Sequence, residues 1–333
     1  MTVLYIDNSK AKLSIGGSQV KIKDLGGKVQ IVPIETVKGI YLLGRPQMTT
    51  QFMTACLNRG IPVIFLSKNG NYFGRLTSTG YVKAALQRKQ AALYDAPFAL
   101  KLSQRIVCAK IRNQLVVLRR YAKSAGFDAS ELIGRIKRCE RQAAKTERFN
   151  TLRGYEGMAA HLYFFGLGRC VNADFAFKGR SRRPPKDPFN SALSLGYAML
   201  LNTVYEAIVA RGLNPYFGFF HRDAERHPTL ASDLMEEWRP VIVDALVMSL
   251  ISRYDIGIGE FTKNPKTGGW ILSKSALNTF FAKWNRRMET KIQYFESLDY
   301  ELTFRGAIDH QAHALMKAIE AEDAEYYTPV QIR

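Results

Sequence analysis

The hydrophobic period of this chain changes near residue 80, so one regular layer cannot accommodate both parts. Before that point, short alternating runs recur at Val3–Ile6, Lys12–Ile15, Gln19–Ile22, Val29–Val32 and Gly39–Leu42. Asp7-Asn8, Gly16-Gly17 and Gly26-Gly27 separate them and supply turns. Met48–Asn58 reads as a helix with Phe52, Met53, Cys56 and Leu57 to one side. Pro62–Leu66 reads as a buried strand, and Asn69-Gly70 as a hairpin turn into Tyr72–Leu76. From about Tyr81 apolar residues return at three-and-four spacing, which predicts helices over 84–94, 97–125, 130–146, 150–167, 191–211, 230–251, 273–296 and 305–324. The expected fold class is α+β, with a small β-rich N-terminal domain over 1–80 and a larger all-helical C-terminal domain over 81–333.

Charge is distributed as unevenly as pattern. The 48 Lys and Arg against 29 Asp and Glu give a net +19. Residues 81–190 hold 23 basic against 8 acidic side chains, whereas 191–333 hold 15 against 18. A single-sign field of that size attracts polyanions, and phosphate backbones are the commonest of these. Segment 170–190 breaks the helical pattern and carries Lys178, Arg180, Arg182, Arg183 and Lys186. It is read as a DNA-contacting loop, the plain alternative being a solvated one. Cys56, Cys108, Cys139 and Cys170 form no Cys-x-x-Cys pair, which speaks against a zinc cluster and for free thiols in a reducing, cytoplasmic setting. The longest apolar stretch, Val241–Ile251, is interrupted by Asp244 and is too short to span a bilayer, so no membrane partner is expected.

Gly-x-x-x-x-Gly-Lys-Ser/Thr, Gly-x-Gly-x-x-Gly, Gly-x-Ser-x-Gly and His-Glu-x-x-His are all missing, which leaves ATP, dinucleotide, serine-hydrolase and zincin chemistry without support. What remains is a set of carboxylates and histidines. Glu156 falls on a helical stripe with Leu152, Ala159 and Tyr163. A carboxylate on an apolar face needs an arginine, a metal cation or a proton. His221 closes the aromatic run Gly218-Phe219-Phe220, where a satisfied, half-buried imidazole is the usual reading. Asp233 and Glu236 share a helix face near a helix start, where carboxylates complement the helix dipole or serve as oxygen ligands. Glu237, beside them, is read as a surface residue. A Glu, His, Glu donor set suits Mg²⁺ or Mn²⁺.

The strings Arg153–Phe164 (RGYEGMAAHLYF), Arg182–Leu200 (RRPPKDPFNSALSLGYAML) and Gly218–Asp244 (GFFHRDAERHPTLASDLMEEWRPVIVD) resemble the CRISPR-associated adaptation integrase family over essentially the whole chain. Thr229 and Trp238 stand where that family usually has Ser and Phe. The resemblance implies that Glu156, His221 and Glu236 bind Mg²⁺ or Mn²⁺ and are catalytic, with Asp233 orienting the site. It implies a metal-dependent DNA integrase that inserts new spacers into a CRISPR array, by attack of a 3′-hydroxyl on a phosphodiester, with associated endonuclease activity. The implied partners are double-stranded DNA (spacer precursor and CRISPR repeat), a second copy joined through the β-rich domain, and a small ferredoxin-like adaptation protein. Two rival readings are a structure-specific, metal-dependent repair nuclease and a catalytically silent nucleic-acid-binding scaffold.

Overall fold

The computed structural model describes residues 2–67, 72–222, 224–295 and 298–332. The Asn69-Gly70 turn and Glu296, the last residue of the expected 273–296 helix, lie outside them. The chain divides into two compact units, Met1–Val82 and Lys83–Arg333.

The first unit contains two four-stranded sheets. One runs in the order β1 (Thr2–Ile6), β5 (Val37–Leu43), β7 (Val63–Leu66), β8 (Tyr72–Leu76), its first three strands parallel and the last antiparallel. The other runs β4 (Val29–Pro33), β3 (Gln19–Lys23), β2 (Lys12–Gly16), β6 (Gln47–Met48). β2 and β3 form a hairpin whose tight turn places Gly17 at φ +61°, the left-handed region that glycine enters without a Cβ clash. Met48, read as helical, instead pairs beside Leu13 in β6, and helix α1 (Thr50–Asn58) begins after Thr49, whose hydroxyl caps the Phe52 N–H. Leu13, Val20, Ile34, Ile40, Phe52 and Val63 lie in the shared core.

The second unit is largely helical. It comprises α2 (Ala84–Ala92), α3 (Pro97–Ser124), α4 (Ser130–Ala143), α5 (Phe149–Gly168), α6 (Pro188–Ala210), α7 (Thr229–Met235), α8 (Ala245–Ser252), α9 (Lys274–Met288) and α10 (Phe304–Ala321). The expectation of an all-helical domain is corrected by two small antiparallel pairs, Phe261–Lys263 with Trp270–Leu272 and Lys291–Ile292 with Leu302–Thr303. The second pair also ends the 273–296 helix early, at Met288. The expected helix 230–251 is broken as well. Pro240 has no N–H to donate, so the ladder loosens into a π-helical turn over Arg239–Asp244 between α7 and α8. By length and composition α6 could cross a membrane, but 67% of its apolar window is buried inside the fold, as in the core helix of a globular unit.

Candidate active site

Four segments of the second unit bring the candidate residues together. α3 contributes Lys110, α5 contributes Glu156, the loop before α7 contributes His221, and the turn after α7 contributes Glu236 and Arg239.

The loop Gly218–His221 has no strand pairing and wraps around Asp233. Asp233 is fully buried and accepts from the backbone N–H of Phe219 (2.6 Å), Phe220 (3.0 Å) and His221 (2.8 Å). The three backbone donors meet the hydrogen-bonding capacity of a carboxylate that water does not reach. Gly218 permits the wrap, since a Cβ there would lie 2.7 Å from the His221 carbonyl and from the Thr229 backbone. The Asp233 Oδ1 also meets His221 Nδ1 at 2.7 Å, which holds the proton on Nδ1 and leaves Nε2 facing Glu236 Oε1 at 3.8 Å. That gap is too long for a hydrogen bond. Burial disfavours the imidazolium, but Asp233 and Glu236 outweigh it and raise the His221 pKa.

Glu236 is buried beside two cations. Arg239 lies 3.1 Å from Oε1, and Lys110 Nζ lies 2.5 Å from Oε2. Burial opposes ionisation of Glu236, yet Arg239, Lys110 and His221 together hold its carboxyl below the usual range. The Lys110 ammonium thus sits on Oε2 at ion-pair distance and neutralises this buried oxygen. Lys110 also pairs with Glu156 Oε1, joining the two carboxylates through a single ammonium. Among the described residues, no three His, Cys, Asp or Glu side chains are already spaced to hold a metal ion. The donor chemistry nonetheless suits Mg²⁺ or Mn²⁺: an open imidazole nitrogen, a buried carboxylate oxygen that already holds a cation, and the partly exposed Glu156 carboxylate.

A cavity of about 260 Å³ adjoins Glu156, with Lys110, Arg182, Tyr197, Arg239 and Asp244 on its walls. Asp244 accepts hydrogen bonds from Tyr197 (2.5 Å) and Tyr163 (2.9 Å). Burial still raises its pKa to about 6.

The structure corrects the surface reading of Glu237. It is fully buried and accepts from the Tyr327 hydroxyl and the Val330 N–H, both at 2.6 Å, which ties the C-terminal segment to the active-site turn. Of the five loop cations, Lys178, Arg182, Arg183 and Lys186 are exposed. Arg180 is not free in the same way. Its guanidinium bonds Asn190 Oδ1 (2.7 Å) and Ser194 Oγ (3.1 Å) and stacks over Tyr197. Sequence reasoning missed Lys110 and Arg239. Lys110 had a usable signal, because it occupies the core register of α3 with Ile106, Val107 and Ile111.

A family model described as "CRISPR associated protein Cas1" matches residues 4–286. The CRISPR-associated endonuclease Cas1 of Mycobacterium tuberculosis is 38% identical over 324 residues, covering 96% of this chain and 95% of that protein. Among solved structures, a casposase bound to integration product superposes with a TM-score of 0.86 at 19% identity, covering all of this chain and 95% of the other. A Cas6-RT-Cas1–Cas2 complex superposes at 0.82 and 24% identity; it covers 99% of this chain, which spans only 36% of the longer one. At those identities the two structures show a shared fold.

Proposed function

This chain belongs to the CRISPR-associated Cas1 family, the core spacer-acquisition integrases and endonucleases, and we propose that it joins DNA at the Glu156–His221–Glu236 cluster with the help of Mg²⁺ or Mn²⁺. One observation carries the proposal: an oriented imidazole and two carboxylates, from residues as many as 80 positions apart, are drawn together around Lys110 and Glu236. The divalent ion, when bound, supplies Lewis acidity toward the phosphodiester and the attacking 3′-hydroxyl. The chain's own groups do the rest. Asp233 fixes His221 with Nε2 toward the centre. Arg239 neutralises Glu236 from the side away from Lys110. Arg182, on the wall of the adjoining cavity, offers a guanidinium to a phosphate near Glu156.

Exchange of one phosphodiester for another needs no nucleotide energy, in keeping with the missing phosphate-cradling loop. Replacing the hydroxyl by water turns the same centre into an endonuclease. The substrates are double-stranded spacer precursor and the CRISPR repeat, held by Lys178, Arg182, Arg183 and Lys186, in the cytoplasm. A homodimer formed through residues 1–82 is supported by the free edge strand β4, which exposes Val29 and Ile31. The Cas6-RT-Cas1–Cas2 complex among the structural neighbours supports a small ferredoxin-like adaptation protein as the further partner.

The test is incubation with Mn²⁺, a DNA fragment bearing 3′-hydroxyl ends, and supercoiled plasmid. Fragment–plasmid joining is the expected result. Relaxation without joining would mark a nuclease alone, and a salt-sensitive mobility shift without either would mark a scaffold.

A further inference from the structure

Lys110 is among the most deeply buried cations of the second unit, at 4% exposure, and it projects from the middle of the 28-residue helix α3. Lysine is rarely buried so far without paired charge. Here the ammonium meets Glu156 on one side and Glu236 Oε2, at 2.5 Å, on the other. Without it, two carboxylates would converge in a poorly solvated place with Arg239 and His221 left to offset them. The ammonium therefore stands where a cation bridging these carboxylates would stand.

We propose that Lys110 is a built-in counter-ion for the candidate metal centre. In the metal-free protein it gathers Glu156 and Glu236 around one position, and it withdraws when a divalent ion takes that position. The inference rests on the reading of Glu156 and Glu236 as ligands. Two cations cannot share the same oxygens without strong mutual repulsion, so bound metal and bound ammonium exclude each other. The adjoining cavity of about 260 Å³, on whose wall Lys110 already lies, holds several waters' volume and can accept the displaced amine. Lys110 is thus a positioning residue that preorganises the ligands and competes with the metal.

The experiment is calorimetric titration of Mn²⁺ into the chelator-treated full chain, with thermal melting alongside. Lys110→Met should bind Mn²⁺ at least ten-fold tighter than the wild type. It should melt lower without metal and gain more from saturating Mn²⁺. Equal or weaker Mn²⁺ binding by a folded Lys110→Met overturns the inference. Lys110→Gln, which keeps a polar head without the charge, carries the same expectation if the methionine variant does not fold. In the wild type, saturating Mn²⁺ should increase reductive methylation of Lys110 several-fold by mass spectrometry, and unchanged labelling again overturns the inference. Glu156→Gln and Glu236→Gln separate the two levels. If Mn²⁺ binding survives in both, the metal reading itself falls and takes the inference with it. If binding is lost in both while Lys110→Met shows no gain, only the role of Lys110 falls.

Discussion

His221 Nδ1 lies 2.7 Å from Asp233 Oδ1, and the same oxygen accepts the His221 backbone N–H at 2.8 Å. One carboxylate therefore sets both the ring and the chain that carries it. Asp233→Ala should free three backbone N–H groups in a buried loop and unlock the imidazole. The expected result is a melting temperature lower by several degrees and strand joining reduced roughly 10–100-fold, the range typical of losing a group that orients a metal-ligating histidine. A variant with unchanged melting and unchanged joining would remove Asp233 from the site.

Glu236 and Glu237 are sequence neighbours with opposite surroundings, and their substitutions should separate cleanly. Glu156→Ala, His221→Ala and Glu236→Ala should each abolish joining while leaving DNA affinity within a few-fold of the wild type. Glu237→Gln should keep most joining, because its carboxyl faces Tyr327 and Val330 rather than the cations. Glu237→Ala should instead leave two buried donors unpaired, at roughly 1–3 kcal/mol each, and speed hydrogen exchange at the Val330 amide. Normal joining by folded Glu236→Ala would displace the assignment.

The sequence is legible where local pattern decides the outcome and opaque where distant segments do. The period change near residue 80 lies close to the division at Val82, since strand and helix periods are local properties. Asp233 and Glu236 fall within one turn, as a spacing of three implies, but a straight helix over 230–251 overlooks Pro240, whose missing N–H produces the π-helical turn. Glu237 was misjudged because its partners lie about ninety residues away in the C-terminal segment. Lys110 and Arg239 escaped notice for a different reason. In a chain with 48 basic residues, two that neutralise buried carboxylates look like part of the general excess. A lysine in the core register of an apolar helix is the mark that distinguishes the first of them.

Asp244, on the wall of the cavity that adjoins Glu156, provides a pH signature of its own. Its ordinary pKa of 3.8 is raised to about 6, chiefly by burial, against the two tyrosine hydrogen bonds. The folded state therefore holds this proton more tightly than the unfolded chain. The resulting stabilisation is present in full below pH 3.8 and is lost as pH rises through 6. Charging Asp244 should cost on the order of 3 kcal/mol by pH 7. Asp244→Asn, neutral throughout, should flatten the fall in stability between those pH values when denaturant midpoints are compared. A wild-type slope that persists in the variant would assign the proton elsewhere.

The exposed loop cations divide from Arg180 in a way that DNA binding should reveal. Arg182, Arg183 and Lys186 are exposed, and Arg182 also lines the cavity beside Glu156, so a phosphate bound by Arg182 would lie next to the candidate centre. Each phosphate contact releases condensed counterions, and losing one should flatten the slope of log affinity against log salt by about 0.9 on duplex DNA. Reversing all three to Glu should weaken binding irrespective of sequence and flatten the slope by up to about 2.7. Arg180→Ala should act differently, because its guanidinium is spent on Asn190 and Ser194. It should lower the melting temperature and leave the salt slope nearly intact. Reversing exposed Arg286 on α9 is the control, since it belongs to the acidic C-terminal stretch. If that single reversal costs more DNA affinity than the loop triple, the phosphates follow another face of the second unit.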